Sequence, residues 1–170
     1  ISAAAIGTLG IHSKNYNKKT NLTSLDPLLL HKTLQRLKNN KVNNIILEAS
    51  SHGLDQNRLN NLKISAAIFT NLSHDHLDYH KNMKNYLNSK MYLFKELIKE
   101  KSKIITDEEN AEFKIIKKIS HEKKLKKYTI GSNSGTIQII NNTYNKNKQI
   151  IKLSINSKTF ILEIPLIGYF

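Results

Sequence analysis

Short apolar segments alternate with helical patterns along the first two thirds of the 170-residue chain. Residues 3–9 have the pattern of a short buried strand made of small residues. Asp26 and Pro27 predict a helix cap followed by proline at the first helical position, and the apolar spacing that follows continues that helix toward Asn39. The continuous apolar runs in NNIILEASS (43–51) and ISAAIFTNLS (64–73) predict central parallel strands. The pattern therefore predicts an α/β fold with an open, mostly parallel sheet and flanking helices.

The pattern changes toward the C-terminal end. A helix is predicted from about Asn82 to Glu100, and KIIT (103–106) then predicts a strand that leads into a helix ending at Ile119. The later segments IQIINNTY, IIKLSI and TFILEI alternate with period two and are joined by polar turns, so they predict antiparallel strands flanking the main sheet. We expect one domain over residues 1–170, and we expect it to be a fragment of a longer protein.

Composition narrows the class of protein. The chain contains no cysteine, which excludes disulfides and thiolate metal sites, and no apolar run approaches the ~20 residues that span a bilayer. We therefore expect a cytoplasmic monomer without a membrane partner. The net charge of +14 fits a nucleic-acid-binding surface or an anionic substrate. Because lysine, asparagine and isoleucine are abundant throughout, a solvated basic surface is the preferred interpretation and no nucleic-acid partner is expected.

The segment TNLSHDHLDYHKN (70–82) concentrates histidine and aspartate. Its spacing nearly matches the H-x-H-x-D-H signature of binuclear metallohydrolases, through His74, His76 and Asp78, but a tyrosine stands where the last histidine should be and His80 comes one position late. An extended segment would place these side chains on one face, whereas a helix would pair His76 with His80. Local spacing alone leaves both arrangements open.

The predicted helix after this segment carries a lysine in its apolar stripe. The stripe runs through Met83, Tyr86, Leu87, Phe94, Leu97 and Ile98, and position 90, where an apolar residue is expected, holds Lys90. One interpretation is a lysine whose stem packs while its amine reaches water. The other is an amine held in place for chemistry, since burial favours the neutral form and a neutral amine can react with carbon dioxide to give a metal-binding carbamate.

Together, three sequence motifs of the chain resemble the central domain of the Mur ligases. EASSHGLDQNR (48–58), TNLSHDHLDYH (70–80) and Lys90 in NYLNSKMYLF carry the resemblance. IGTLG, LTSLDP and the closing IPLIGYF have counterparts in the same order, so it covers essentially the whole chain. Within the family, the chain looks most like the ligases that add the third residue to UDP-N-acetylmuramoyl-L-alanyl-D-glutamate.

The resemblance implies a site with Mg²⁺, with ATP as co-substrate. Glu48 matches the carboxylate that helps to hold magnesium at the ATP phosphates, His76 matches a ligand of a second magnesium, and Lys90 matches a carbamylated lysine that completes it. His74 and His80 are then expected at the surface or beside the ligands. The pair that binds the UDP-muramoyl-peptide matches Thr23 and Ser24, where the family usually has two threonines.

Further positions follow from the same resemblance. Ser50, Gln56 and Arg58 match additional contacts to the nucleotide-peptide, while Asn71 and Asp75 are expected to organise the loop. The implied reaction forms an acyl phosphate on the substrate carboxylate, which an amino acid then attacks; whether that is meso-diaminopimelate or L-lysine stays open.

No G-x-x-x-x-G-K-[ST] motif occurs in the sequence. By analogy with the family, we expect that motif upstream, and an adenine-contacting segment and C-terminal domain downstream, so that the segment alone is inactive. The alternatives are another member of the same superfamily, such as a folylpolyglutamate synthetase, and a basic α/β module that binds nucleic acid.

Overall fold

The computed structural model describes residues 2–145 and 147–166. Its strands are β1 (Ala3–Gly7), β2 (Gly10–Ser13), β3 (Tyr16–Lys18), β4 (Asn44–Leu47), β5 (Ile64–Phe69), β6 (Ile98–Asp107), β7 (Lys126–Gly131), β8 (Ile137–Asn145), β9 (Lys148–Ile155) and β10 (Lys158–Ile164). Its α-helices are α1 (Pro27–Asn39), α2 (Ser51–Asp55), α3 (Leu77–His80), α4 (Met83–Tyr92) and α5 (Phe113–Glu122), and a π-helical segment, Leu93–Leu97, extends α4. None of the helices in these ranges is long and apolar enough to cross a bilayer.

The strands form two hydrogen-bonded sheets. One has the order β3-β2-β1-β4, with β1 and β4 parallel. The other has the order β10-β9-β8-β7-β6-β5, in which β7 is parallel to both β6 and β8. The last strands, β8 to β10, pair antiparallel. The α/β class and the antiparallel C-terminal strands are thus confirmed, although the strands are divided between two sheets.

The chain also divides into two compact units. The first contains residues up to 64 together with residues 73–98, and the second contains residues 65–72 together with the chain from residue 99 onward. The first unit carries β1 to β4 and the helices α1 to α4, so nine of the ten candidate site positions belong to it; Asn71 belongs to the second. Residues 167–170, the end of the IPLIGYF segment, lie outside the described residues.

Helix α1 forms where the sequence predicts it. The Asp26 carboxylate accepts a hydrogen bond from the Leu29 amide at 2.9 Å, and Pro27 occupies the first turn, where its missing N–H costs nothing. Leu30 and Leu37 are fully buried, as the apolar spacing requires. This confirms the predicted start and face of the helix.

The helix that carries Lys90 is shorter than predicted. Asn82 caps α4 by accepting a hydrogen bond from the Asn85 amide at 2.9 Å, which confirms its start. The π-helical segment ends at Leu97 and β6 begins directly at Ile98, so the predicted helix end at Glu100 is wrong. Ile98 is buried and satisfies both a helical and an alternating pattern, which is why the sequence alone misplaces the boundary.

The position predicted for β4 is also wrong. The apolar run predicts a central strand, but β4 lies at the edge of its sheet, with β1 as its partner, and Ile46 is 72% exposed. An apolar run predicts burial without identifying the neighbour that provides it. The β2–β3 hairpin and α2 were not predicted, because strands of three or four residues and a single helical turn are too short to show a period. The six-residue strand β7 was also not predicted; it begins within a lysine-rich stretch that is interpreted as solvated surface.

Candidate functional site

The Ser24 side chain joins two of the segments that carry candidate residues. It is 1% exposed, and its hydroxyl donates to the Glu48 carbonyl at 2.9 Å while it accepts hydrogen bonds from the amide and the hydroxyl of Ser50 at 2.9 and 3.0 Å. The Ser50 hydroxyl in turn accepts from the Gly53 amide and caps α2. A side chain at position 53 would approach the Ser24 Cβ to 2.5 Å, so glycine permits this contact.

Arg58 is anchored by the same network. Its Nη1 donates to the Ser24 carbonyl at 2.8 Å, and its Nε and Nη2 both donate to Oε1 of Gln56. These bonds use three of the five N–H groups of a guanidinium. One N–H on each terminal nitrogen is not used by them, and two parallel donors of this kind match a carboxylate or phosphate.

Glu48 follows β4 directly, at the carboxyl end of the strand. One of its carboxylate oxygens, Oε2, accepts hydrogen bonds from the amide and the hydroxyl of Thr8 at 2.9 and 2.7 Å. The Thr8 hydroxyl also lies 3.0 Å from that of Thr23. A Cβ at Gly7 would come within 2.3 Å of the Glu48 side chain, so a larger residue there would displace the carboxylate from this position. Both bonds end on Oε2, which leaves Oε1 as the oxygen that can face a cation.

His76 and Lys90 meet at a shared aromatic ring. The His76 imidazole lies edge-on to Tyr86 with 5.8 Å between ring centroids, and the Lys90 amine lies 5.1 Å from the centroid of the same ring. Lys90 is half-buried as a residue. Tyr86 itself is buried, and burial raises the pKa of its hydroxyl. The ring therefore holds the two side chains in one neighbourhood.

His76 has an unusual backbone. Its φ of 57° and ψ of 24° lie in the left-handed region, and the Asp75 carboxylate accepts its amide hydrogen at 2.7 Å. This local bond stabilises a conformation that non-glycine residues seldom adopt. Asp75 therefore organises the turn at His76, whereas Asn71 is exposed beyond the end of β5.

The other two histidines of the segment differ in burial. His74 is exposed, while His80 is 4% exposed. The Nε2 atom of His80 lies 2.9 Å from the Ser51 hydroxyl, and its ring stacks on Tyr86. Burial, followed by the nearby His52, lowers the pKa of His80. Of the two locations expected for His80, the surface and the side of the candidate ligands, the structure shows the second, since His80 and His76 contact the same Tyr86 ring.

The donor set decides whether a metal ion fits. Within residues 2–145 and 147–166, no three histidine, aspartate or glutamate side chains gather closely enough to hold a metal ion, so a histidine cage is excluded there. Magnesium prefers oxygen ligands, and an unmodified Lys90 amine supplies none. His76 and Lys90 fit a magnesium ion only when Lys90 carries a carbamate, whose two oxygens would add the missing donors, while Glu48 would face a separate ion.

Comparison with known proteins assigns the family. The family model described as "Mur ligase middle domain" matches residues 2–170. The chain belongs to the Mur ligase family. A UDP-N-acetylmuramoyl-L-alanyl-D-glutamate–2,6-diaminopimelate ligase from Rhizobium meliloti (strain 1021) is 36% identical over 173 residues, which cover 99% of this chain and 35% of the relative. The Mur ligase segment thus spans about a third of the length of this curated relative.

Solved structures support the same assignment. A UDP-N-acetylmuramoyl-L-alanyl-D-glutamate–2,6-diaminopimelate ligase structure superimposes with a TM-score of 0.86 at 29% identity, covering 99% of this chain and 34% of the other. The FPGS–AMPPCP complex superimposes with a TM-score of 0.68 at 10% identity, over 98% of this chain and 48% of the other. The second likeness shows a shared fold alone.

The sequence did not single out three residues that organise this Mur ligase site. Thr8 holds the Glu48 carboxylate, Tyr79 accepts a hydrogen bond from the candidate residue Gln56, and Asp55 accepts one from Tyr79. Thr8 could have been found as a polar residue just after the end of the first strand. Asp55 lies in the motif EASSHGLDQNR and Tyr79 lies in the motif TNLSHDHLDYH, but nothing in the local sequence pattern distinguishes either residue from its neighbours.

Proposed function

We propose that this chain is the middle domain of an ATP-dependent ligase that adds 2,6-diaminopimelate to UDP-N-acetylmuramoyl-L-alanyl-D-glutamate in peptidoglycan precursor synthesis. The observation that carries the proposal is the connected network of Ser24, Ser50, Gln56 and Arg58, four positions that match nucleotide-peptide contacts in the family. The name of the 36% identical relative favours diaminopimelate over lysine.

In this proposal Arg58 binds an anionic group of the nucleotide-peptide. Its guanidinium is held on one side by Gln56 and by the Ser24 carbonyl, so little side-chain freedom is lost when the substrate arrives. The Ser24 hydroxyl is buried and already makes three hydrogen bonds. We therefore assign Ser24 to positioning Ser50 and Arg58, and Thr23, which is half-buried beside Thr8, to the substrate side.

The chemistry requires charge neutralisation around a phosphoryl group. ATP phosphorylates the D-glutamate side-chain carboxylate, the amine of the amino acid attacks the acyl phosphate, and phosphate leaves. Bound magnesium would supply positive charge for this transfer. Glu48, held at Oε2 by Thr8, would present Oε1 to the cation, and His76 and a carbamylated Lys90 would hold the second ion.

Another member of the superfamily is the remaining candidate among ligases. The FPGS likeness extends over 98% of the chain but at only 10% identity, so it supports the fold and no substrate. The 36% identity to the diaminopimelate ligase includes the segments that carry Arg58 and Lys90, because it extends over 99% of the chain. The proposal therefore follows the similarity to the diaminopimelate ligase.

The test uses the full-length protein. Purified enzyme would be incubated with ATP, Mg²⁺, UDP-N-acetylmuramoyl-L-alanyl-D-glutamate and either diaminopimelate or L-lysine, with ADP release and the mass of the UDP-linked product as readouts. We expect a product that has gained diaminopimelate. Omission of the nucleotide-peptide should abolish ADP release. A protein that forms no amide product with either amino acid, yet binds nucleic acid with steep salt dependence, would refute the proposal.

A further inference from the structure

A directed chain of hydrogen bonds runs from Arg58 to Asp55. Arg58 donates to Oε1 of Gln56, the Gln56 Nε2 donates to the Tyr79 hydroxyl at 3.1 Å, and that hydroxyl donates to Oδ2 of Asp55 at 2.9 Å. A guanidinium can only donate and a carboxylate can only accept. These two ends fix the direction of every link, including which atom of the Gln56 amide faces Arg58.

A second chain reaches the same carboxylate from the other side. The Ser89 hydroxyl donates to Oδ1 of Asp55 at 3.0 Å. Its oxygen lies 3.5 Å from Nδ1 of His80, and Nε2 of His80 lies 2.9 Å from the Ser51 hydroxyl. The Asn85 carbonyl lies at the same 3.0 Å from the Ser89 hydroxyl, so its one proton is shared between two acceptors. When that proton is donated to Asp55, the Ser89 oxygen can accept from Nδ1–H of His80, which leaves Nε2 to accept from Ser51. Burial favours the neutral imidazole that this order requires.

The two chains connect three parts of the first unit. Asp55 is the last residue of α2, Tyr79 belongs to α3, and Ser89 belongs to α4, directly before Lys90. Each carboxylate oxygen of Asp55 serves one neighbour. The carboxylate thus ties the segment that carries Gln56 and Arg58 to the helix that carries Lys90.

We infer that Asp55 and Tyr79 are positioning residues for the ligase reaction, a role that rests on the function proposed above. Tyr79 keeps the Gln56 amide oriented with its oxygen toward Arg58. Without the Tyr79 hydroxyl the amide can rotate and turn its NH₂ toward the guanidinium, where two donors face each other. Arg58 then loses the support that holds it ready for the anionic substrate.

The test compares two tyrosine variants of the full-length enzyme. Tyr79→Phe removes the hydroxyl and keeps the ring, which packs 4.2 Å from His52 between centroids. Tyr92→Phe is the matched control, because the Tyr92 hydroxyl donates to Oδ1 of Asn60 at 3.1 Å outside both chains. Both variants would be assayed by steady-state kinetics with each substrate varied, by calorimetric titration with the nucleotide-peptide, and by thermal unfolding.

For Tyr79→Phe we expect the KM and the Kd for the nucleotide-peptide to rise about two- to tenfold, the range that the loss of one hydrogen bond gives. The KM for ATP should stay within about twofold of wild type under the same reasoning. Tyr92→Phe should leave all of these constants unchanged. A purely structural role would lower the unfolding temperature without separating the two substrates.

Asp55→Asn provides the second test. The amide has a single acceptor oxygen, so it cannot accept from both Tyr79 and Ser89, and one chain must reverse or break. We expect a loss in kcat/KM for the nucleotide-peptide at least as large as that of Tyr79→Phe. An active wild-type enzyme whose Tyr79→Phe and Tyr92→Phe variants bind the nucleotide-peptide equally well would overturn the inference. An inactive wild type would instead contradict the proposed function.

Discussion

Replacing Ser24 with alanine should lower the local stability at the start of α2, so that this segment unfolds locally more often. The substitution removes the donor to the Glu48 carbonyl and the acceptor of the Ser50 amide, at a side chain that is 1% exposed. Glu48 is exposed and Ser50 is half-buried, so water can reach the backbone groups that lose their partner, and each lost hydrogen bond costs about 0.5–1.5 kcal/mol. The two bonds together give a loss of about 1–3 kcal/mol in the local free energy of opening, which corresponds to an increase of about fivefold or more in the population of the open form.

Hydrogen exchange of the full-length protein measures this effect directly. Peptides that cover residues 47–55 should exchange at least about fivefold faster in Ser24→Ala than in wild type. Ser120→Ala is the control, because Ser120 is also buried but makes one hydrogen bond, to the Lys117 carbonyl within α5. It should leave residues 47–55 unchanged. Wild-type protection of these residues in Ser24→Ala would refute the assignment of Ser24 as the junction of the network.

Three further predictions concern the chemistry and its pH dependence. Lys90→Ala should nearly abolish ligation with the fold intact, and acetate or formate should restore part of the activity in a saturable manner. Lys84 is an exposed lysine on the same helix, so the control variant Lys84→Ala should stay active. Full activity of Lys90→Ala without added acid would exclude the carbamate. Arg58→Ala should raise the KM for the nucleotide-peptide far more than that for ATP, which initial rates with each substrate varied will decide. Because the pKa of His80 is lowered in the folded state, the unfolded state binds its proton first, so stability should fall as pH drops below about 6.5; thermal midpoints of His80→Gln should depend less on pH there than those of wild type.

The sequence was sufficient for features that depend on local pattern. The Asp26 cap and the α1 face rest on neighbours within four residues, and the alternation of the last three strands shows in each segment separately. These predictions require only helical or strand periodicity and the chemistry of caps. Lys90 is half-buried, which is compatible with both interpretations of its place in the apolar stripe, so its role stays a prediction.

Features that depend on contacts between residues distant in sequence could not be predicted from the local sequence pattern. The Thr8–Glu48 bonds join residues 40 positions apart, and the Ser89–Asp55 bond spans 34 positions. The edge position of β4 likewise depends on which strand pairs with it. Nothing in the local pattern of these residues specifies a partner, so only the folded chain shows which polar side chains hold the candidate residues.

Glu48 is the residue at which the substrate-binding and metal-binding parts of the proposed site meet. Its carbonyl accepts from Ser24, which also holds Ser50 and, through its own carbonyl, Arg58. Its carboxylate is held by Thr8. A displacement of the Ser24 segment would therefore move the peptide unit from which the Glu48 side chain extends. In the proposed function, the residues assigned to the nucleotide-peptide and the carboxylate assigned to magnesium are thus linked through one stretch of backbone, so a change at one is expected to affect the other.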